Sequence, residues 1–384
     1  LEKNLAAIVS NGRCPFLILE HRFRSLNMAA EARDLKTKFP GMLLLLLIRD
    51  MDQDQLIYLY EIGADSFIVK PASTQTVLEK LAFAVKPFGQ LGQFIDAAKA
   101  MLKQGRAEKA RDLANKILKI KPDSSAGLML LGDVEQDLGH AEAARQAYQD
   151  ACASTPLYLE PMQRLVRLAE KCGDQEECLA WLERLDSLSP LNPDRKVDMG
   201  KINLDLGNGL KAERLFGLAL DLAREIREQI SSLAERIADI YAEKSPEKSE
   251  KFLRKALEAK KNRMTRDDVN VFSRLGITLR QMGKWEEAIA EYRRALELAP
   301  DDAGLYYNIG MALAQGNKMM EARQSMETAL RRNERFPYTS AEVAYNMGEI
   351  LLKGAGKDPA KKCFAVALEL DPSLNEARKK FDSL

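Results

Sequence analysis

Residues able to do chemistry are sparse in this 384-residue chain, and their spacing narrows the options. It has two histidines, His21 and His140, and five scattered cysteines, Cys14, Cys152, Cys172, Cys178 and Cys363. The five residues between Cys172 and Cys178 do not give the spacing of a zinc site, so no metal is expected. No Ser/His/Asp set and no glycine-rich phosphate loop is present, so neither enzymatic activity nor a cofactor is expected. Two kinds of group remain. Glu20 ends the apolar run Pro15-Phe-Leu-Ile-Leu-Glu20, and Lys70 follows the run Ser66-Phe-Ile-Val69, which puts a carboxylate and an ammonium at the tips of strand-like segments. Amides and guanidinium groups, among them Asn308, Asn346, Arg274 and Arg280, punctuate helical stretches. An amide offers a donor and an acceptor together, so it can grip the backbone of an extended peptide whatever its side chains. Either kind acts only where the elements beneath it place it.

Bulk properties remove further classes. Lys and Arg number 58 against 57 Asp and Glu, which leaves no global charge to draw the chain onto nucleic acid or anionic lipid. No basic stripe with interleaved aromatics is present, and no nucleic-acid partner is expected. The apolar run Leu43–Ile48 is far too short to span a bilayer, so no membrane insertion is expected. An odd number of scattered cysteines argues for reduced thiols in a cytoplasmic setting, with Cys178 and Cys363 packing as small hydrophobes.

The amides and guanidinium groups sit on helices. In Val269–Asp302 the apolar and small residues fall in two bursts, Phe272/Leu275/Gly276/Leu279 and Ala288/Tyr292/Ala295, each at the spacing of one amphipathic helix. Gly283 stands where a helix end needs a left-handed residue, and Pro300 stops the second helix. Gly276 and Ala288 are expected at the closest approach of the two helices, with Phe272 and Tyr292 filling the flanking space. This hairpin resembles the tetratricopeptide repeat, matching its aromatic, Leu-Gly pair, Ala, aromatic, Ala and closing Pro. A step of 34 residues from Gly276 reaches Gly310, and Gly348 follows after a four-residue insertion around Arg335–Pro337. Backwards, the phase finds Gly132, Ala144, Tyr148 and Ala151, with poorer copies between. Eight hairpins are therefore expected over residues 91–372, beginning near Leu91, Ser125, Leu159, Pro193, Ile230, Val269, Ala303 and Ala341. The resemblance implies sixteen antiparallel helices stacked as a superhelix. The step breaks near Arg224–Ile230 and Lys260–Asp268, where the weakest joins are expected. Residues 373–384 read as a capping helix, with Ser373 and Glu376 in a capping-box arrangement.

Residues 1–88 follow another pattern. Pro15–Glu20, Met42–Ile48 and Ser66–Val69 are continuous apolar runs, as in strands of a parallel sheet covered on both faces. Helical stretches at Ala29–Lys38, Asp52–Ile62 and Thr74–Val85 alternate with them, which gives a small α/β unit in an otherwise mostly α chain. Its ending, with Gly63, Ala64, Asp65, Phe67, Lys70 and Pro71, resembles the C-terminal half of a response-regulator receiver domain, a flavodoxin-like fold. That resemblance implies a phosphoacceptor Asp where this chain has Glu20, and a Ser or Thr where it has Ile48. It leaves Phe67 as the switch aromatic and Lys70 as the cation, with the Lys70–Pro71 bond cis. Glu20 with Lys70 or Arg49 then forms a permanent carboxylate–cation pair in place of a phosphorylatable site. The resemblance also starts the chain inside the family's second helix, so either upstream residues or a partner cover the edge of the Pro15–Glu20 strand. The short linker Lys86-Pro87-Phe88-Gly89 predicts that this unit docks on the first hairpin.

In the tetratricopeptide family the first helix of each hairpin lines a groove. Carried onto this chain, the groove positions include Arg274, Arg280, Tyr307, Asn308, Gln315, Tyr345, Asn346, Glu349 and Lys353. The family's carboxylate clamp is incomplete, because Ser273 and Ile277 replace the expected Lys and Asn. The expected function is a non-enzymatic adaptor or scaffold that binds a protein or peptide in this groove, in bacterial two-component signalling or an assembly linked to it. The alternative is a working phospho-receiver with the array as output, which requires an acidic pair upstream of Leu1.

Overall fold

The computed structural model describes residues 2–10, 15–20, 22–23, 26–49, 53–78, 89–155, 159–224, 227–261 and 263–384. They form two compact units, Leu1–Glu225 and Ile226–Leu384. The division falls in the Arg224–Ile230 stretch, one of the two places where the repeat step breaks.

The first unit opens with an α/β layer. Strands Phe16–Glu20, Leu43–Ile48 and Ser66–Val69 form a parallel sheet with Leu43–Ile48 in the middle. Helices Glu2–Ser10, Ala29–Lys38 and Gln53–Glu61 alternate with them. Alternation along the central strand sends Leu44, Leu46 and Ile48 into a core with Ala32, Leu35, Leu59 and Ile62. Lys36 ties one end of this layer by donating to the Met42 carbonyl and the Asp65 carboxylate, both at 2.6 Å. The expected helix over Thr74–Val85 is present at 74–78. Its remainder and the linker residues 86–88 lie outside the described residues.

Four hairpins complete the first unit: Gly89–Lys103 with Ala107–Ile120, Ser125–Asp137 with Ala141–Ser154, Leu159–Cys172 with Gln175–Leu188, and Pro193–Asp205 with Gly209–Leu222. The second unit holds the fifth to eighth: Arg227–Tyr241 with Pro246–Ala259, Val269–Gln281 with Trp285–Leu298, Ala303–Gln315 with Met319–Arg332, and Ala341–Lys353 with Lys357–Leu370. Among the described residues of this span there are sixteen α-helices, two short 3-10 turns at Arg266–Asp268 and Phe336–Thr339, and no strand. Four of the first helices start on side-chain caps: Ser124 accepts from the Gly127 amide, Asn192 from those of Asp194 and Arg195, Asp302 from Leu305, and Ser340 from Val343. The first helices of the sixth and eighth hairpins end on a left-handed residue, Gly283 (φ 76°) and Ala355 (φ 66°). Ala355 therefore holds a conformation that disfavours any residue with a Cβ.

Five of the eight hairpins, the second, fourth, sixth, seventh and eighth, close large against small at a fixed interval of sixteen residues. A Cβ built on Gly132, Gly200, Gly276 or Gly348 would lie 2.4, 2.4, 2.3 or 2.6 Å from the ring of Tyr148, Phe216, Tyr292 or Phe364. At Gly310 the methyl of Met326 takes the ring's place, 2.8 Å from such a Cβ. Tyr292 thus sits directly on Gly276 rather than beside it, which corrects the expected flanking position. The glycine removes the one atom that would hold the ring away. Ala288 is fully buried, as its place in the repeat requires, and so are the thiols of Cys178 and Cys363. Burial pushes both thiols up to about 11.

Two expectations about the ends of the array are corrected. The last helix runs Asn375–Asp382 with Leu374 at its N-cap and no side-chain cap, because the Ser373 hydroxyl instead donates to Asp371 Oδ1 at 2.6 Å. Ala377 is buried nonetheless, and the Lys361 ammonium lies 5.2 Å from the Phe381 ring centroid. Among the described residues the α/β layer rests on the third and fourth hairpins, where the linker predicted the first. Glu61 pairs with Arg195, Arg33 pairs with Asp194, and Ile57 packs on the hairpin core.

Candidate binding face

The strand-end residues of the α/β layer come together only in part. Parallel register places Glu20 opposite Leu47 and Ile48 opposite Val69, so the strand tips are level. Lys70 Nζ donates to Glu20 Oε1 at 2.6 Å, across the sheet from the edge strand to the third. The Lys70 hydrogen bond, with the Lys70 and Arg49 charges, holds the Glu20 carboxyl below its ordinary value despite some desolvation. The Lys70–Pro71 bond is cis. Ile48 faces away from this pair into the core, at 3% exposure. Phe67 packs edge-on against Tyr60, with ring centroids 4.5 Å apart. The tip therefore offers a neutralised ion pair rather than an open carboxylate.

On the second unit the first-helix residues expected to face a ligand are largely engaged with their neighbours, one hairpin along. Arg274 donates to the Glu235 carbonyl at 3.2 Å and pairs with Asp239. Arg280 Nε donates to Gln315 Oε1 at 3.0 Å. Asn346 Nδ2 donates to the Tyr307 hydroxyl at 3.3 Å, and the Tyr345 hydroxyl donates to Glu376 Oε2 at 3.1 Å. Glu349 lies between Lys353 at 3.4 Å and Lys380 at 3.3 Å. These links form a ladder of polar contacts along the first-helix face. Sequence reasoning identified the rungs as ligand contacts and missed Glu235, Asp239 and Glu376 as their partners. The signal lay in the separations of 31 to 39 residues, close to one repeat.

The ladder shapes the electrostatics of this face. Burial raises the Tyr307 phenol above its ordinary value, against the Asn346 hydrogen bond and the nearby Arg280 charge. Burial, with the Glu349 and Glu376 carboxylates, pushes the Tyr345 phenol up to about 12. Both phenols are therefore neutral at physiological pH and offer hydroxyls, with Tyr307 against Phe336 and Tyr345 against Phe364 as half-buried aromatic walls. Asn308, next to Tyr307 in sequence, is half-buried, and among the described residues its side-chain amide makes no hydrogen bond. Arg280, Tyr307 and Asn346 thus gather into one polar-aromatic patch, and Asn308 follows Tyr307 on the same helix. Arg274, on the same helix as Arg280, is engaged instead with Glu235 and Asp239 of the fifth hairpin, and Lys353 is the last residue of its helix.

Comparison with known proteins agrees with the repeat geometry. Residues 267–316 match a family model described as TPR repeat, and residues 95–158 and 303–336 match models described as tetratricopeptide repeat. Tetratricopeptide repeats are therefore present in both units. Tetratricopeptide repeat protein 33 from Xenopus laevis is 29% identical over 127 residues, covering 32% of this chain and 46% of that protein. The chain thus spans under half the length of the curated relative it matches. Among solved structures, the C-terminal part of a TPR repeat-containing protein from Cytophaga hutchinsonii is 15% identical with a TM-score of 0.44. That match covers 74% of this chain and 98% of the other. A tetratricopeptide repeat protein from Parabacteroides merdae is 15% identical with a TM-score of 0.33, covering 76% and 97%. No helix among the described residues is long and apolar enough to cross a membrane.

Proposed function

We propose that this chain, as a carrier of tetratricopeptide repeats, is a non-enzymatic adaptor that holds an extended peptide of a partner protein on the first-helix face of its sixth to eighth hairpins. The observation that carries this reading is the Asn308 amide, half-buried on the helix that carries Tyr307, which bonds Asn346, with no hydrogen bond of its own among the described residues. A peptide backbone supplies the acceptor and donor that such an amide lacks. Arg280 and Arg274, already partnered, contribute a positive edge more than a direct grip.

Each neutral side-chain hydrogen bond contributes about 0.5–1.5 kcal/mol net, so the Asn308→Ala/Asn346→Ala double variant should weaken a cognate partner by about 1–3 kcal/mol, roughly 5- to 150-fold. Because Asn346 also bonds Tyr307, Tyr307→Phe serves as the control that removes the internal contact and keeps both amides. Calorimetric titration of a captured partner peptide at low and high salt is the measurement. The amide effect should survive high salt, whereas a contribution from the arginines should be screened. Unchanged affinity in the double variant would remove this face from consideration.

The α/β layer enters the proposal as a receiver-like module that ties the adaptor to bacterial two-component signalling in the cytoplasm. What supports it is the pair of Lys70 and Glu20 at the strand tips, together with Phe67 and the Gly63–Ala64 turn. With Glu20 bonded to Lys70 the module presents a fixed charge pair. Incubation of the chain with acetyl phosphate should therefore leave its mass unchanged. A stoichiometric, base-labile gain of one phosphate would support the working phospho-receiver instead.

A further inference from the structure

We infer that the first unit contains a carboxylate-binding pocket, built from Ser189, Asn192 and Arg195, and that Glu61 of the α/β layer fills it in cis. The layer is then an intramolecular ligand that closes the first-helix face of the third and fourth hairpins. Glu61 is the last residue of helix Gln53–Glu61, and its carboxylate is fully used. Oε2 accepts from the Ser189 hydroxyl at 2.7 Å, and Oε1 accepts from Asn192 Nδ2 at 2.9 Å and from Arg195 Nη2. The side chains of Arg195 and Glu61 are 3% and 7% exposed, so both charges have left water.

The pocket is held in shape by groups other than Glu61. Arg195 Nη1 donates to the carbonyls of Leu185 at 3.1 Å and Ser189 at 2.5 Å, at the C-terminal end of the helix Gln175–Leu188. Asn192 Oδ1 caps the next helix by accepting from the amides of Asp194 and Arg195, which leaves Nδ2 to meet the carboxylate. The Ser189 amide donates to the Leu185 carbonyl at 2.9 Å. Three donors thus converge on one point from a turn fixed by its own helix ends. An uncompensated buried guanidinium is strongly disfavoured, so the site demands an acid.

What Glu61 closes is the face on which tetratricopeptide hairpins offer their first helices. Gln163, Arg167 and Glu170 follow the i, i+4, i+7 spacing of one helix face, and with Asp194 they line a cavity of about 640 Å³ beneath Lys36 and Gly63 of the layer. The Arg33–Asp194 pair adds a second clasp. Release of Glu61 would open both this face and an acid-selective pocket. A partner presenting a Glu at a helix end could then take the layer's place.

Hydroxyl-radical footprinting of the full chain tests this without any reporter group. Ile57 is partly buried where the layer meets the hairpin core, and Leu210, 88% exposed, is the internal reference. Glu61→Lys, and separately Arg195→Glu, should raise oxidation of Ile57 relative to Leu210 severalfold. Glu61→Gln should raise it less, and the reversed pair Glu61→Lys/Arg195→Glu should return it toward the parent value. Circular dichroism is expected to show full helix content throughout. An unchanged Ile57 ratio in Glu61→Lys, or no recovery in the reversed pair, overturns the inference. Loss of helix content in Glu61→Gln would make Glu61 a support of the fold rather than a ligand, and overturns it equally.

Discussion

Tyr292→Ala is expected to destabilise the second unit by about 3–5 kcal/mol, the range for deleting a buried aromatic ring. The ring is fully buried, and it occupies the space that a Cβ at Gly276 would need, with atoms 2.3 Å from that position. Truncation leaves a void between two helices whose closest approach is set by that glycine, and the backbone cannot collapse to fill it. Tyr292→Phe is the control. The hydroxyl is buried without a hydrogen-bond partner, so its removal should change stability by less than about 1 kcal/mol. Urea unfolding followed by circular dichroism measures both, and a shifted midpoint at constant slope identifies a stability change. A parental midpoint in Tyr292→Ala would mean that the ring does not seal the hairpin. The phenol adds a pH signature, because burial pushes it up to about 12 against the nearby Arg280 charge. Unfolded tyrosine ionises at its ordinary value of 10.0, and the folded one does not until about 12. Stability is therefore fully present below pH 10 and lost as pH rises through that window, and Tyr292→Phe should lose less of it.

Asp268→Ala is expected to cost about 1.5–3 kcal/mol, the range for hydrogen bonds to a charged group. The carboxylate is 2% exposed and closes the short helical turn Arg266–Asp268 that fills the second break in the repeat. Oδ2 accepts from the Thr265 amide at 2.7 Å and hydroxyl at 3.3 Å, and Oδ1 accepts from Lys260 Nζ at 2.7 Å. The chain between the fifth and sixth hairpins is thereby pinned at both ends of its detour. Lys260 keeps some access to water, so losing its partner costs less than stranding a fully buried charge. Burial alone would raise the Asp268 carboxyl, but the bonds from Lys260 and Thr265 outweigh it and hold the group below 3.8. A depressed folded value contributes stability above the unfolded pKa, and that contribution is lost as pH falls through the folded one. The gap between parent and variant in urea midpoint should accordingly be constant from pH 7 to about pH 4 and shrink below 3.8. A gap that stays constant down to pH 2 would assign the cost to the turn backbone rather than to the carboxylate.

The hairpins were legible from residue types alone because their packing is local. Gly276 and Tyr292, or Gly348 and Phe364, lie sixteen residues apart on two helices joined by one turn, so the repeat shows directly in the sequence. The starts at Ser125, Leu159, Pro193, Val269, Ala303 and Ala341 coincide with the observed helices for the same reason. The parallel strands were legible too, since runs such as Leu43–Ile48 have no other way to bury two faces. The polar ladder was not legible. Whether Arg274 meets a ligand or Asp239 depends on how one hairpin stacks on the next, and the spacing within a helix carries no record of that angle. The resting place of the α/β layer was least legible of all. Glu61 and Arg195 stand 134 residues apart, and in sequence each looks like any solvated charge on a helix. Only the path of the folded chain brings them together, and burial then turns an ordinary acid and an ordinary base into a pair that neither can leave without stranding the other's charge.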